Sequence, residues 1–201
     1  MGLHTDYLGS LRIEPPLSPA EVDFLKSFNR TRHCGDRAPL DVVAHPADND
    51  PAGDVESYNR VAAGMPELWC PWTSCDEGCC LRWDQGEKPY APDQWLRYLI
   101  DTFLRPGAAL AADAAARAVG LTFDHVLTGM LVGERRETGE LFALAVKDNV
   151  VRRRTLVPAM EGVDEGGYRG EDEERQGRTT YLAARRGRFA HAIAGDLRRA
   201  G

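Results

Sequence analysis

Four of the chain's five cysteines, Cys70, Cys75, Cys79 and Cys80, fall within eleven consecutive positions. In a chain whose thiols stay reduced, that density points to metal or redox chemistry sooner than to structural disulfides. Cys75 and Cys79 flank the short connection Asp76-Glu77-Gly78, so both thiolates can address one ion. Three intervening residues are within the range that a metal knuckle tolerates. Cys70 and Cys80 are the further thiol ligands at hand, and His33 with Cys34, His45 and His125 are candidates from elsewhere in the chain. The ion such a set suggests is zinc. Two other readings stand beside it: a redox-active or nucleophilic thiol, and reduced cysteines that pack as small hydrophobes.

The second chemical signal follows directly. The segment WDQGEKPY (83–90) gathers Trp83, Asp84, Glu87, Lys88 and Tyr90 into eight positions, shortly after Trp69 and Trp72. Aromatic walls with a few charged groups suit a small-molecule pocket, area giving affinity and polar groups giving orientation. Trp69, Trp72, Trp83 and Tyr90 are the candidate ligand-binding residues. Asp84 or Glu87, once desolvated, could act as a general base, and Lys88 could stabilise an anion. The competing reading is a solvated loop whose aromatics fill the core.

Phe123-Asp124-His125 adds His125 as a candidate acid or base. A strand through these positions would turn Asp124 and His125 to opposite faces and keep them apart. No strand–turn–helix elbow presents a nucleophilic serine. The glycines at 162, 166 and 167 sit among acidic residues that repel phosphate. Asp48, Asp50 and Asp54 lack the spacing and the closing glutamate of a calcium loop.

The elements that would position these groups follow from periodicity. Tyr7–Ile13 alternates as a strand, with Tyr7, Gly9, Leu11 and Ile13 on one face. Ser18-Pro19-Ala20-Glu21 spells a capping box with proline at the first helical position. The apolar stripe Val22, Phe24, Leu25 and Phe28 then marks a helix. Residues 34–66 are irregular. Residues 68–75 and 79–85 read as a hairpin whose three-residue turn puts Gly78 in the left-handed region. That register sets Cys75 opposite Cys79. It puts Pro71, Thr73, Leu81 and Trp83 on one face and Cys70, Trp72, Cys80 and Arg82 on the other. A second helix spans Pro92–Leu104, burying Leu96, Leu99, Ile100 and Phe103, and the alanine-rich 108–119 suggests a short third one. Phe123–Arg135, Glu140–Val146 and Asn149–Leu156 read as strands.

The order strand, helix, strand, strand, helix, strand, with an added strand, is the split βαβ pattern. It implies an α+β ferredoxin-like antiparallel sheet with two helices on one face. Strands 68–75 and 79–85 are too close for a parallel crossover, which excludes a doubly wound sheet. The expected organisation is a domain over 1–157, an acidic linker over 158–177, and a basic, helical tail over 178–201. Net charge is −6, and residues 1–160 account for all of it. An acidic body argues against a reader of phosphate backbones. No stretch is long and apolar enough to span a membrane and no secretory signal is visible, so a cytoplasmic location is expected.

Three stretches carry a resemblance: YLGSLRIEPPL near the start, GMPELWCPWTSCDEGCCLRWDQGEKPYAPDQWLRYLIDTFLRPGA (64–108), and FDHVLTGMLVGERRETGELF. They resemble a family of uncharacterised actinobacterial proteins. More distantly they are similar to phage- and plasmid-borne proteins of the YubB type, for which a ferredoxin-like fold is described. The likeness spans roughly residues 7–150 and is most specific in Trp-Cys-x-Trp and Trp-Leu-x-Tyr-Leu-Ile-Asp. It implies the same fold and carries no activity.

Two function classes follow. The first is a non-catalytic binding or regulatory module that uses its sheet face or edge to meet a protein partner or a second copy of itself. The second is a small enzyme or accessory protein with a thiol or metal site at the cysteine hairpin beside an aromatic, charged pocket.

Overall fold

The computed structural model describes residues 4–36, 38–41, 55–86 and 89–159. His45, the aspartates at 48, 50 and 54, Glu87, Lys88, the tail and most of the linker lie outside these residues. Six strands form one antiparallel sheet: β1 (Thr5–Glu14), β2 (Trp72–Ser74), β3 (Cys80–Trp83), β4 (Val126–Arg135), β5 (Leu141–Lys147) and β6 (Val150–Val157). Their spatial order is β2-β3-β1-β4-β5-β6. Helices α1 (Pro19–Arg30), α2 (Val55–Asn59), α3 (Pro92–Leu99) and α4 (Ala114–Val119) complete a mixed α+β structure.

Local chemistry sets the start of α1. Ser18 is the N-cap and its hydroxyl accepts from the Glu21 backbone N–H, while the Glu21 carboxylate accepts from the Ser18 N–H at 2.8 Å. Both arms of the capping box expected from the sequence are present. The stripe that follows is buried: Phe28 is fully inaccessible, and Val22, Phe24 and Leu25 are nearly so. Helix α3 starts at Pro92 as expected, but its last turn widens. Ile100–Leu104 form a π-helical turn, closed by the Arg105 N–H donating to the Ile100 carbonyl at 3.1 Å.

The two long helices and one sheet face share a core. Phe24 meets Phe103 edge-on at 5.0 Å, Phe28 meets Trp95 at 5.9 Å, and both helices pack with Leu11, Ile13, Leu81, Leu127, Leu131, Phe142 and Leu144. Each such side chain, taken fully out of water, contributes about 1.5–3 kcal/mol. On β1 the alternation holds from Ser10 to Glu14, with Leu11 and Ile13 buried and Ser10, Arg12 and Glu14 exposed, but Gly9, expected on the buried face, is exposed and takes φ +108°. Toward the Arg135 end the second face is covered as well, since Val132, Glu134, Leu141 and Ala143 are all buried.

Three expectations need correction. Residues 34–66, expected to be irregular, carry helix α2 and a bridge between Cys34 and Val61. The hairpin strands are shorter than expected, and their register is shifted by one residue: Trp72 pairs with Trp83, Thr73 with Arg82, and Ser74 with Leu81. Cys75 therefore faces Cys80, whose carbonyl accepts from the Cys75 N–H at 3.0 Å. Cys79 joins the turn as an extra residue, which moves Trp72 to the buried side with Leu81. The strand expected from Phe123 begins only at Val126. Phe123 adopts φ +58°, and the His125 N–H donates to the Leu104 carbonyl at 2.9 Å, so the chain bends before pairing.

Candidate thiolate site at the β2–β3 turn

The cysteine turn is held from three sides. Gly78 has φ +69°, and its N–H donates to the Cys75 carbonyl at 3.2 Å. A Cβ at Gly78 would lie 2.5 Å from the Leu17 carbonyl oxygen, so only glycine fits there. The β1–α1 connection grips the same turn, with Leu17 N–H donating to the Gly78 carbonyl at 3.0 Å and Ile13 N–H to the Cys79 carbonyl at 2.9 Å. Lys26 of α1 pairs with the Asp76 carboxylate at the tip.

This clamp gathers three sulfurs. The Sγ atoms of Cys75, Cys79 and Cys80 all lie within 4.8 Å of one another, and Cys75 to Cys79 is 3.5 Å. Thiolates around a tetrahedral zinc, with Zn–S near 2.3 Å, stand roughly 3.8 Å apart. The cluster thus spans the right range for one ion. Cys75 is buried, Cys80 half-buried and Cys79 exposed, so an ion can enter from solvent on the Cys79 side.

The three thiols titrate as a set. Burial acts to raise the Cys75 pKa. The Cys80 and Cys79 side chains and backbone N–H groups hydrogen-bond to its sulfur, outweigh burial and bring the pKa below the usual thiol value. Cys79 is raised, chiefly because its thiol donates to Cys75. Cys80 is pushed up to about 12, by burial first and then by the Cys75 sulfur. Cys75 is therefore the sulfur that loses its proton most readily, and an ion on all three sulfurs must displace protons from Cys79 and Cys80.

The other sequence candidates are dispersed. Cys70 is buried away from the cluster, with its thiol directed to the Trp72 carbonyl at 3.7 Å, and burial raises its pKa. His33 stacks in the core on Phe28 at 4.2 Å, and Cys34 is buried beside the same loop. Trp72 is a core residue whose indole N–H donates to the Pro92 carbonyl at 2.8 Å. Trp69 is exposed and lies 5.6 Å from the Arg32 guanidinium, while Tyr90 is exposed. Asp84 serves architecture: one oxygen accepts from Asn29 Nδ2 and the other from the Gly86 N–H, each at 2.8 Å.

Trp83 lines a cavity of about 440 Å³ at the place where β1 and β3 part, together with Tyr7 and Gly9 of β1 and Arg82 of β3. Sequence reading placed Trp83 at a pocket but had no means of finding the β1 side.

His125 belongs to a buried cluster that the sequence did not disclose. Its Nδ1–H donates to the Pro15 carbonyl at 2.7 Å, and Nε2 lies 3.0 Å from Glu21 Oε1 and 3.0 Å from Thr122 Oγ1. Asp124 also approaches Nε2, at 3.6 Å. The expectation that Asp124 and His125 point apart fails because these residues precede the strand. Burial acts to lower the His125 pKa, but its bonds to Glu21 and to the Pro15 carbonyl outweigh burial and raise it. Burial would likewise raise Glu21, yet hydrogen bonds from His125, Thr122 and Ser18 bring it down to about 2. The residue is a charged partner fixed in the interior.

Comparison with protein-family models, with curated proteins and with solved structures finds no match.

Proposed function

We propose that the protein is a metal-binding module that takes a thiophilic ion, zinc in the first instance, on Cys75, Cys79 and Cys80. The observation that carries this reading is the convergence of the three sulfurs within 4.8 Å on a turn anchored to β1 and α1. Soft thiolates favour zinc or monovalent copper over calcium or magnesium. Three protein ligands leave a coordination position for water or an exchangeable group. The role is binding rather than catalysis: Asp84 is committed to Asn29 and Gly86, and His125 is buried in an ion pair.

The same reading extends to the fold and the setting. The order β2-β3-β1-β4, with α1 and α3 packed on one face, supports a ferredoxin-like core to which β5 and β6 add a hairpin. All five cysteines are free, which supports a reducing, cytoplasmic setting. For contact with a protein partner or a second copy, the exposed β1 positions Leu8, Ser10 and Arg12 are better suited than the edges. Strand β2 has only three residues and β6 carries Arg152, Arg153 and Arg154, which blunt pairing.

The test is anaerobic titration of the reduced protein with Zn²⁺, and with Co²⁺ as a spectroscopic substitute. One ion per chain with sulfur-to-cobalt charge transfer is expected. Cys79→Ser and Cys80→Ser should each abolish or strongly weaken binding, while Cys70→Ser leaves the stoichiometry unchanged once its folding is verified. Wild-type protein that takes up no stoichiometric ion overturns the proposal.

A further inference from the structure

Strands β1 and β3 pair over only two positions, Leu11 with Leu81 and Arg12 with Cys80. Toward Tyr7 they separate, although β1 stays paired with β4 along its whole length. The Ile13 N–H points toward β3, where it meets the Cys79 carbonyl. At Gly9, whose φ is +108°, the regular β1 backbone is interrupted. Tyr7 and Gly9 line the cavity of about 440 Å³, where β3 forms no bridge with them.

The shape of this gap decides what it can take. A peptide strand added beside Tyr7–Gly9 would need the gap to stay open by a full strand spacing of about 4.8 Å on each side. The gap instead closes at Leu11–Leu81 like a wedge. A compact molecule fits a wedge, and the volume lies within the roughly 300–1,000 Å³ of small-molecule sites.

The lining decides the charge. Arg82 is exposed at the mouth; its side chain makes no hydrogen bond or contact ion pair among the described residues and acts on Asp76 only through space. Arg136 lines the cavity too, in a two-pronged pair with Asp6 at 2.8 and 2.7 Å. With Asp6 offset by Arg136, Arg82 leaves the lining net positive on a chain whose total charge is −6. Trp83, half-buried and edge-on to Tyr7 at 5.7 Å, supplies an apolar wall.

We infer that the β1–β3 wedge is a binding site for a small organic carboxylate on a flat, partly apolar body. Arg82 holds the carboxylate through its planar fork, and the body lies against Trp83 and Tyr7. This site is separate from the thiolate turn and does not depend on a bound metal.

The test uses benzoate as the probe, followed by NMR of the ¹⁵N-labelled indole groups, with Trp83→Phe assigning the Trp83 signal. Benzoate is expected to move that signal in a saturable way. Arg82→Gln should weaken binding about tenfold or more, Arg82→Lys should weaken it less, and neutral benzyl alcohol should bind the wild type about as poorly as benzoate binds Arg82→Gln. Arg82 is exposed, so both variants should retain the wild-type melting temperature. No response of the Trp83 signal to millimolar benzoate, or equal affinity in Arg82→Gln, overturns the inference.

Discussion

The imidazole of His125 and the carboxylate of Glu21, 104 positions apart in the chain, meet at 3.0 Å in the interior with each residue only 1% exposed. Glu21 also closes the capping box of α1, and His125 also holds the Pro15 carbonyl. One ion pair therefore ties the start of the first helix to the entrance of β4.

This pair makes stability depend on pH in both directions. The Glu21 pKa is lowered from 4.5 to about 2, so its contribution is present above 4.5 and is lost as pH falls toward 2. His125 is raised above 6.5, so its contribution is full below 6.5 and is lost as pH rises through the folded-state value. Between 4.5 and 6.5 both act together. Glu21→Gln is expected to cost about 3–5 kcal/mol there, because it leaves a buried imidazolium without its counter-charge. Urea unfolding across pH checks this: the gap between wild type and variant should be widest in that window, and a gap independent of pH contradicts the assignment.

Gly78 should tolerate no side chain. Ala at this position meets the Leu17 carbonyl at 2.5 Å and must hold φ +69°. A cost of about 1–3 kcal/mol is expected from backbone strain alone. Since the same turn assembles the sulfurs, Gly78→Ala should also weaken metal binding under conditions where the protein remains folded. Thermal unfolding with and without Zn²⁺ reads both effects, and a variant whose melting temperature and zinc-induced shift both match the wild type rules the clamp out.

What the sequence disclosed and what it hid divide by distance along the chain. The Ser18–Glu21 box, the stripe of α1 and the left-handed Gly78 were legible because each is decided within a few residues. The hairpin register was not. Whether Cys79 faces Cys75 or joins the turn depends on the Ile13 N–H that claims its carbonyl, which lies on another strand. The shifted register brings Cys80 to Cys75, although the expected one set Cys80 on the far face with Cys70. Cys70 and Trp72 carried a chemical signal and turned out to be packing. Glu21 read only as a cap, because Thr122 and His125 reach it from more than 100 positions away.

The β5–β6 hairpin offers two substitutions of opposite sign. Asp148 and Asn149 form its two-residue turn with φ +49° and +68°. Both angles lie in the left-handed region, which asparagine tolerates better than most residues and glycine best. Asn149 also works with its side chain: Oδ1 accepts from the Leu127 N–H at 2.7 Å and Nδ2 donates to the His125 carbonyl at 3.0 Å. Asn149→Gly should lose about 1–2 kcal/mol through those two bonds. Asp148→Gly should be neutral or stabilising by a few tenths of a kcal/mol, because its side chain bonds to nothing among the described residues and the strain is relieved. Chemical denaturation of the two variants separates the cases, and equal losses would mean that turn conformation, not the asparagine bonds, is what matters.

Metal affinity at the cysteine turn should climb with pH. An ion binds thiolates, and forming them requires removing protons from Cys79 and Cys80, whose pKa values are raised by the Cys75 hydrogen bond and by burial respectively. Cys75 starts closer to the thiolate form because its neighbours' hydrogen bonds lower its pKa. As pH rises from 6 to 8, each proton that binding must still displace contributes about tenfold in apparent affinity per pH unit. Competition against a chelator of known proton linkage measures the slope. The expected slope is between one and three protons per ion, and it should be shallower in whichever of Cys79→Ser or Cys80→Ser retains measurable binding. A flat profile would mean that the ion sits on groups already deprotonated at pH 6, such as the carboxylates of the turn, and that the three sulfurs are not its ligands.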